Sequence, residues 1–117
     1  MQRFATMEIP LQITFRGFAH QPVLDDLIRK RVLELEKVAR HRLTSCHVVV
    51  GLGREHKPGA RMFHVAIDVT FAGAVVAVNR DARDDHAHAD VTIALRDAFD
   101  AVHRKIEHSD HRRHAAS

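Results

Sequence analysis

The sequence predicts an α+β domain in the order β-α-β-β-β-α, a four-stranded mixed sheet with two helices on one face. Three observations carry this. Residues 88–108 read HADVTIALRDAFDAVHRKIEH, and their apolar members Val91, Leu95, Ala98, Phe99, Val102 and Ile106 fall on one side of a 3.6-residue helix. Residues 62–71 alternate, with Phe63, Val65, Ile67, Val69 and Phe71 on one side and His64, Ala66, Asp68 and Thr70 on the other, the period of a half-buried strand. The length, 117 residues, suits one domain (1–117) whose core needs no metal or disulfide, with 1–7 and 110–117 expected to be disordered.

Along the chain, Ile9, Leu11, Ile13 and Phe15 alternate with Pro10, Gln12, Thr14 and Arg16, which predicts a first strand whose start at Pro10 lies at an edge or just outside the ladder. Gly17 ends it. Pro22 is a good first helical residue, and Asp25 and Asp26 follow in the first turn, where the helix dipole favours negative charge. This helix is expected to reach about Arg40, burying Leu24, Leu27, Ile28, Val32, Leu35 and Ala39 and displaying Lys30, Glu34 and Lys37. Acid-before-base pairs four apart, Asp25 with Arg29, Asp26 with Lys30 and Glu36 with Arg40, add local support.

Strands are expected over 45–52, 62–71 and 75–79. The loop GREHKPGAR separates the first two, and Ala72-Gly73 makes a tight hairpin between the last two. A polar link over 80–87 then leads to the final helix, with Asp84 and Asp85 as candidate N-caps. A helix between two strands makes a right-handed crossover and a parallel pair, whereas the hairpins make antiparallel ones. One sheet face is therefore covered by helices, and the other, with Gln12, Thr14, His47, His64, Asp68 and Thr70, is left open.

Composition narrows the function classes. Hydrophobic residues make up 45% of the chain, with six Phe and no Trp or Tyr, so the core is aliphatic and few rings are left to stack on bases. No apolar run approaches the roughly 18 residues of a membrane span, and the start MQRFATMEIP lacks the apolar core of a signal peptide. A cytoplasmic protein with no membrane partner is expected. The lone Cys46 falls in a strand pattern, as a small buried apolar residue, and suits a reducing compartment.

No glycine-rich phosphate loop, serine elbow or paired-acid spacing is present, so no catalytic residue, cofactor or small-molecule substrate is assigned. Eleven histidines include His86 and His88 beside Asp84 and Asp85, and His108, His111 and His114 at the end. Neither spacing is a zinc pattern, and no metal is assigned.

Charge is unevenly placed. Residues 1–61 carry 11 Lys/Arg against 6 Asp/Glu, residues 62–100 carry 3 against 7, and residues 101–117 carry 4 against 2. Cations recur on both helices: Lys30, Lys37 and Arg40 on the first, Arg104 and Lys105 on the second. Side by side on the sheet, the helices would align these as one stripe reaching to Arg112 and Arg113. Such a stripe suits the backbone of structured RNA, which is recognised by shape and phosphate more than by sequence.

From Ile9 to about Arg113 the chain resembles the short ribosome hibernation factors, also called ribosome-associated inhibitor or sigma-54-modulation-type proteins. The order of elements is similar to theirs. VLDDLIRKRVLELEKVARHRLTSCHVVV resembles the family's helix with a Lys-Leu-x-Lys-Leu type rhythm and its following strand, and DVTIALRDAFDAVHRKI its Asp-x-Tyr-x-Ala-Ile-Asp segment and basic run. The resemblance implies a fold akin to double-stranded-RNA-binding domains and no enzymatic activity. It further implies inhibition of translation by occupying the decoding channel of the small ribosomal subunit and contacting its RNA, with Lys30, Lys37, Arg40, Arg104 and Lys105 in that role. The chain departs from the pattern at Thr92, where the family has Tyr, at Arg96, where it has a second Asp, and in a basic run diluted by Glu107, His108 and Asp110. A weaker or pH-sensitive grip is expected if His108, His111 and His114 stand in for lysines. The alternative is a protein-interaction module of the same fold that uses the open sheet face without binding ribosomes.

Overall fold

The computed structural model describes residues 10–40, 42–53, 62–83 and 88–116; for 82, 83, 88–90 and 110–116 it describes the backbone alone. In chain order the elements are β1 (Leu11–Arg16), α1 (Pro22–Val38), β2 (Leu43–Leu52), β3 (Met62–Phe71), β4 (Ala74–Arg83) and α2 (His88–Ala116). The sheet order is β1-β2-β3-β4, with β1 parallel to β2 and the other pairs antiparallel. This is the expected α+β arrangement.

Pro10 precedes the ladder, as its missing N–H requires, while its carbonyl accepts the Cys46 N–H at 3.1 Å. Ile9, placed in the same strand from sequence, lies outside the described residues. At the other end of β1, Gly17 takes φ +83°, and a Cβ there would meet the Leu52 carbonyl oxygen at 2.3 Å. Only glycine can make this turn.

Pro22 begins α1, with Gln21 extended before it at φ −120° and ψ 111°. The Asp25 carboxylate accepts from Arg29 Nε at 2.5 Å and from His20 Nε2 at 3.2 Å, tying the entering loop to the first turns. The helix ends at Val38, short of the expected Arg40. Arg40 takes φ +53°, so the chain leaves the helix in a left-handed conformation, where Gly or Asn is the usual choice. The spacing of Glu36 to Arg40 is therefore not helical, and Glu36 is instead buried at 7% exposure.

β2 begins at Leu43, two residues earlier than alternation indicates, with a register irregularity between Leu43 and Ser45. β4 is longer than the expected 75–79 because β3 pairs with it throughout, from Phe71 with Ala74 to Met62 with Arg83. The register carries Arg80 to Arg83, assigned to a link from sequence, into the strand. Both turn residues, Ala72 (φ +53°) and Gly73 (φ +85°), have the positive φ of a type I′ turn, whose twist matches that of a hairpin. The candidate N-caps Asp84 and Asp85 lie outside the described residues. The backbone of α2 stays helical to Ala116, past residue 110, where a disordered tail is expected from sequence.

Both helices lie on one face of the sheet. Leu24, Ile28, Val32 and Leu35 of α1 and Val91, Leu95, Ala98, Phe99, Val102 and Ile106 of α2 close over Cys46, Val48, Val50, Phe63, Val65, Ile67, Val69, Phe71 and Val78. α1 packs on β2 and on α2, whereas α2 covers β3 and β4. The two helices thus divide the sheet, α1 above the β1 half and α2 above the β4 half.

Candidate nucleic-acid interface

Lys30 and Lys37 stand on the side of α1 opposite Ile28, Val32 and Leu35. They are seven residues apart, two turns on nearly the same line, so their Cα atoms are about 10 Å apart along the axis. Both are exposed, and neither makes an ion pair with another described residue. The arginines of the same helix are committed. Arg29 is held by Asp25, and Arg31 Nη1 reaches Glu34 Oε1 at 3.3 Å. Sequence spacing had no means of separating the two lysines from the two arginines; their partners do.

Arg40 lies two residues beyond the helix, and its N–H donates to the Lys37 carbonyl at 3.2 Å. Its side chain is exposed just past the helix end. Arg42 is different, because its guanidinium lies 5.1 Å from the Phe71 ring centroid and Nε donates to the Ala39 carbonyl at 3.1 Å. Arg42 thereby seals the loop against the core.

Arg104 and Lys105 are exposed on α2, Arg104 one turn after Asp100 and Lys105 on the side that faces β4. Lys105 Nζ donates to the Ala77 carbonyl of β4 at 3.2 Å, at the sheet edge farthest from β1. Between this pair and the α1 lysines runs the outward line of α2, carrying Arg96, Asp100 and Glu107 at spacings of four and seven, all exposed. Glu107 also pairs with His103 Nε2 at 3.3 Å. The five predicted cations therefore form two groups, Lys30, Lys37 and Arg40 on one side and Arg104 and Lys105 on the other, with a mixed-charge ridge between them. The side chains of Arg112 and Arg113, the proposed end of the stripe, lie outside the described ones.

A cation missed from sequence joins the second group. Arg80, read as part of a link, lies on β4, and its Nη1 donates to the Asn79 carbonyl at 2.8 Å. The signal that would have found it is the full-length pairing of β3 with β4, which alternation alone does not give.

The open sheet face is polar, and its groups largely satisfy one another. Thr14 Oγ1 and His47 Nε2 share a hydrogen bond at 3.2 Å, Ser45 Oγ donates to Thr70 Oγ1 at 3.0 Å, and His64 Nδ1 meets Asp81 Oδ1 at 2.5 Å. Cross-strand pairs of this kind stabilise a sheet without any partner. No group of three or more metal-ligating side chains occurs among the described residues. His86 and the His88 side chain are not among them. No helix of the described residues is long and apolar enough to cross a membrane.

The family model described as Sigma 54 modulation protein / S30EA ribosomal protein matches residues 11–114. No curated protein matches the chain. Among solved structures, the N-terminal domain of Protein Y from Thermus thermophilus is similar at 20% identity, with a TM-score of 0.65 over 87% of this chain and 98% of that one. A ribosomal subunit interface protein from Coxiella burnetii is similar at 17% identity, with a TM-score of 0.53 over 83% of this chain and 97% of that one. At such identities the likeness to these two structures carries the fold alone.

Proposed function

The chain belongs to the Sigma 54 modulation protein / S30EA ribosomal protein family, and from that premise we propose that it binds the small ribosomal subunit and inhibits translation on idle ribosomes. Membership makes it a ribosome-associated factor of the hibernation type and sets it among proteins that are not enzymes. The finer reading rests on one observation: Lys30 and Lys37 stand exposed on one line of α1 with no carboxylate partner among the described residues, while their arginine neighbours are paired. Two ammonium groups about two helical turns apart, neither in an ion pair with a described residue, can each displace a counterion from a phosphate backbone, and so supply sequence-independent affinity for folded RNA. Arg40 follows just past the helix end, and Arg104 and Lys105 offer a second point of contact across α2. The mutual hydrogen bonding of the open sheet face leaves the α1 surface as the better candidate for the partner. Cytoplasmic location follows from a ribosomal partner.

The test is sedimentation of the folded protein with purified small and large subunits at low salt. Pelleting with small subunits is expected, together with inhibition of translation in a reconstituted system. Pelleting with large subunits alone, or with neither, would overturn the proposal.

A further inference from the structure

β4 is an edge strand, and its hydrogen bonding to β3 leaves a defined set of groups pointing outward. The two-residue turn makes Phe71 and Ala74 a hydrogen-bonded pair, so that along the antiparallel ladder Val76, Val78, Arg80 and Ala82 also bond to β3. Val75, Ala77, Asn79, Asp81 and Arg83 then send N–H and C=O away from the sheet. Two of these outward carbonyls are occupied by cations: Lys105 Nζ reaches Ala77 and Arg80 Nη1 reaches Asn79. Long charged side chains on a sheet edge are a recognised obstacle to pairing with another strand.

The segment they border is suited to pairing. Residues 74–78 read AVVAV, free of charge, and Val75 is 69% exposed. A copy laid antiparallel about Val76 would set Val76 against Val76, Val75 against Ala77 and Ala74 against Val78, apolar on apolar throughout. In that register Val75 and Ala77 of opposite copies exchange both of their outward hydrogen bonds, which requires the very carbonyl that Lys105 holds. The other edge offers nothing comparable, since β1 is six residues long and is flanked by Pro10 and exposed Arg16.

We propose that the free edge of β4 is an interface for a second copy of this chain, paired antiparallel through residues 74–78, and that Lys105 keeps it closed. With the lysine in place the chain is a monomer. Its removal frees the Ala77 carbonyl and spares each copy the desolvation of an ammonium group at the joint.

The experiment is sedimentation velocity on the full chain from micromolar to millimolar concentration. It compares wild type, Lys105→Ala and Lys105→Ala combined with Val75→Lys. Val75 and Lys105 are both exposed, so these changes leave the core intact. Wild type is expected at 13.3 kDa throughout. Lys105→Ala should move toward twice that mass with a dissociation constant lowered roughly tenfold or more, as loss of one lysine hydrogen bond per copy implies. Val75→Lys should return it to a monomer. A Lys105→Ala protein that stays monomeric, a dimer that persists with Val75→Lys, or a wild-type protein already dimeric would each overturn the proposal.

Discussion

Cys46 lies on the helix-covered face of β2, and burial, reinforced by the nearby Asp68 carboxylate, pushes its thiol from the ordinary 9.0 up to about 12. At neutral pH it is an inert thiol, consistent with its reading as a small apolar residue. Because the native value is raised, the native chain keeps a proton that the unfolded chain gives up above pH 9.0. The stability tied to this group is whole below that pH and drains as pH rises toward 12. Denaturant unfolding of wild type and Cys46→Ala as a function of pH should therefore show a steeper alkaline loss in wild type. Equal slopes would mean that the thiol is not buried as described. Arg40 supports a second prediction at this scale. Its φ of +53° is a left-handed conformation that costs a side-chain-bearing residue about 1 kcal/mol. Arg40→Gly should raise the unfolding free energy by up to about that amount, and at the same time weaken ribosome binding if the guanidinium meets RNA. Separate measurement of stability and binding distinguishes the two effects.

Among the elements, the turns decide where strands end. Gly17 and Gly73 both have positive φ, but a Cβ at Gly17 would lie 2.3 Å from the Leu52 carbonyl oxygen, whereas one at Gly73 meets nothing within 4 Å. Gly73→Ala should cost only the left-handed penalty, about 1 to 2 kcal/mol. Gly17→Ala must in addition shift the backbone where β1 leaves the sheet, and thermal unfolding should show a distinctly larger loss. Equal losses would contradict the close approach. The sequence was legible where periodicity met burial. Alternation in β3 and the apolar line of α2 named the same residues that the structure buries, and Pro22 marked the first residue of α1. It was silent where tertiary pairing decides. Arg80 to Arg83 look like a polar link until β3 supplies their hydrogen-bond partners, and Arg40 belongs to α1 by charge pattern yet leaves it by backbone conformation. The burial of Glu36 carried no local signal at all. The same distinction holds for the site, since residue type identified the cations but only their partners separated Lys30 and Lys37 from Arg29 and Arg31.

For the whole molecule, the layered arrangement determines what the cations can do together. α1 and α2 occupy different halves of one sheet face, so the basic residues become two groups on either side of the mixed-charge ridge of Arg96, Asp100 and Glu107. A flat anionic surface would meet that ridge. RNA with a folded, convex backbone can touch the α1 group first and the β4-edge group second, which suits recognition by shape. Lys105 holds two places in this picture, as a cation of the second group and as the occupant of the Ala77 carbonyl at the sheet edge. The α1 group, free of carboxylate partners among the described residues, is accordingly the contact we propose as primary. The most direct measurement is the salt dependence of binding to purified small subunits for wild type and for Lys30→Gln with Lys37→Gln, each confirmed as folded. Each phosphate contact contributes roughly 0.7 to 0.9 to the slope of log affinity against log salt, so the double variant should bind more weakly and with a slope flattened by roughly 1.5. An unchanged slope with unchanged affinity would contradict the assignment of the α1 lysines as the ribosome-binding surface.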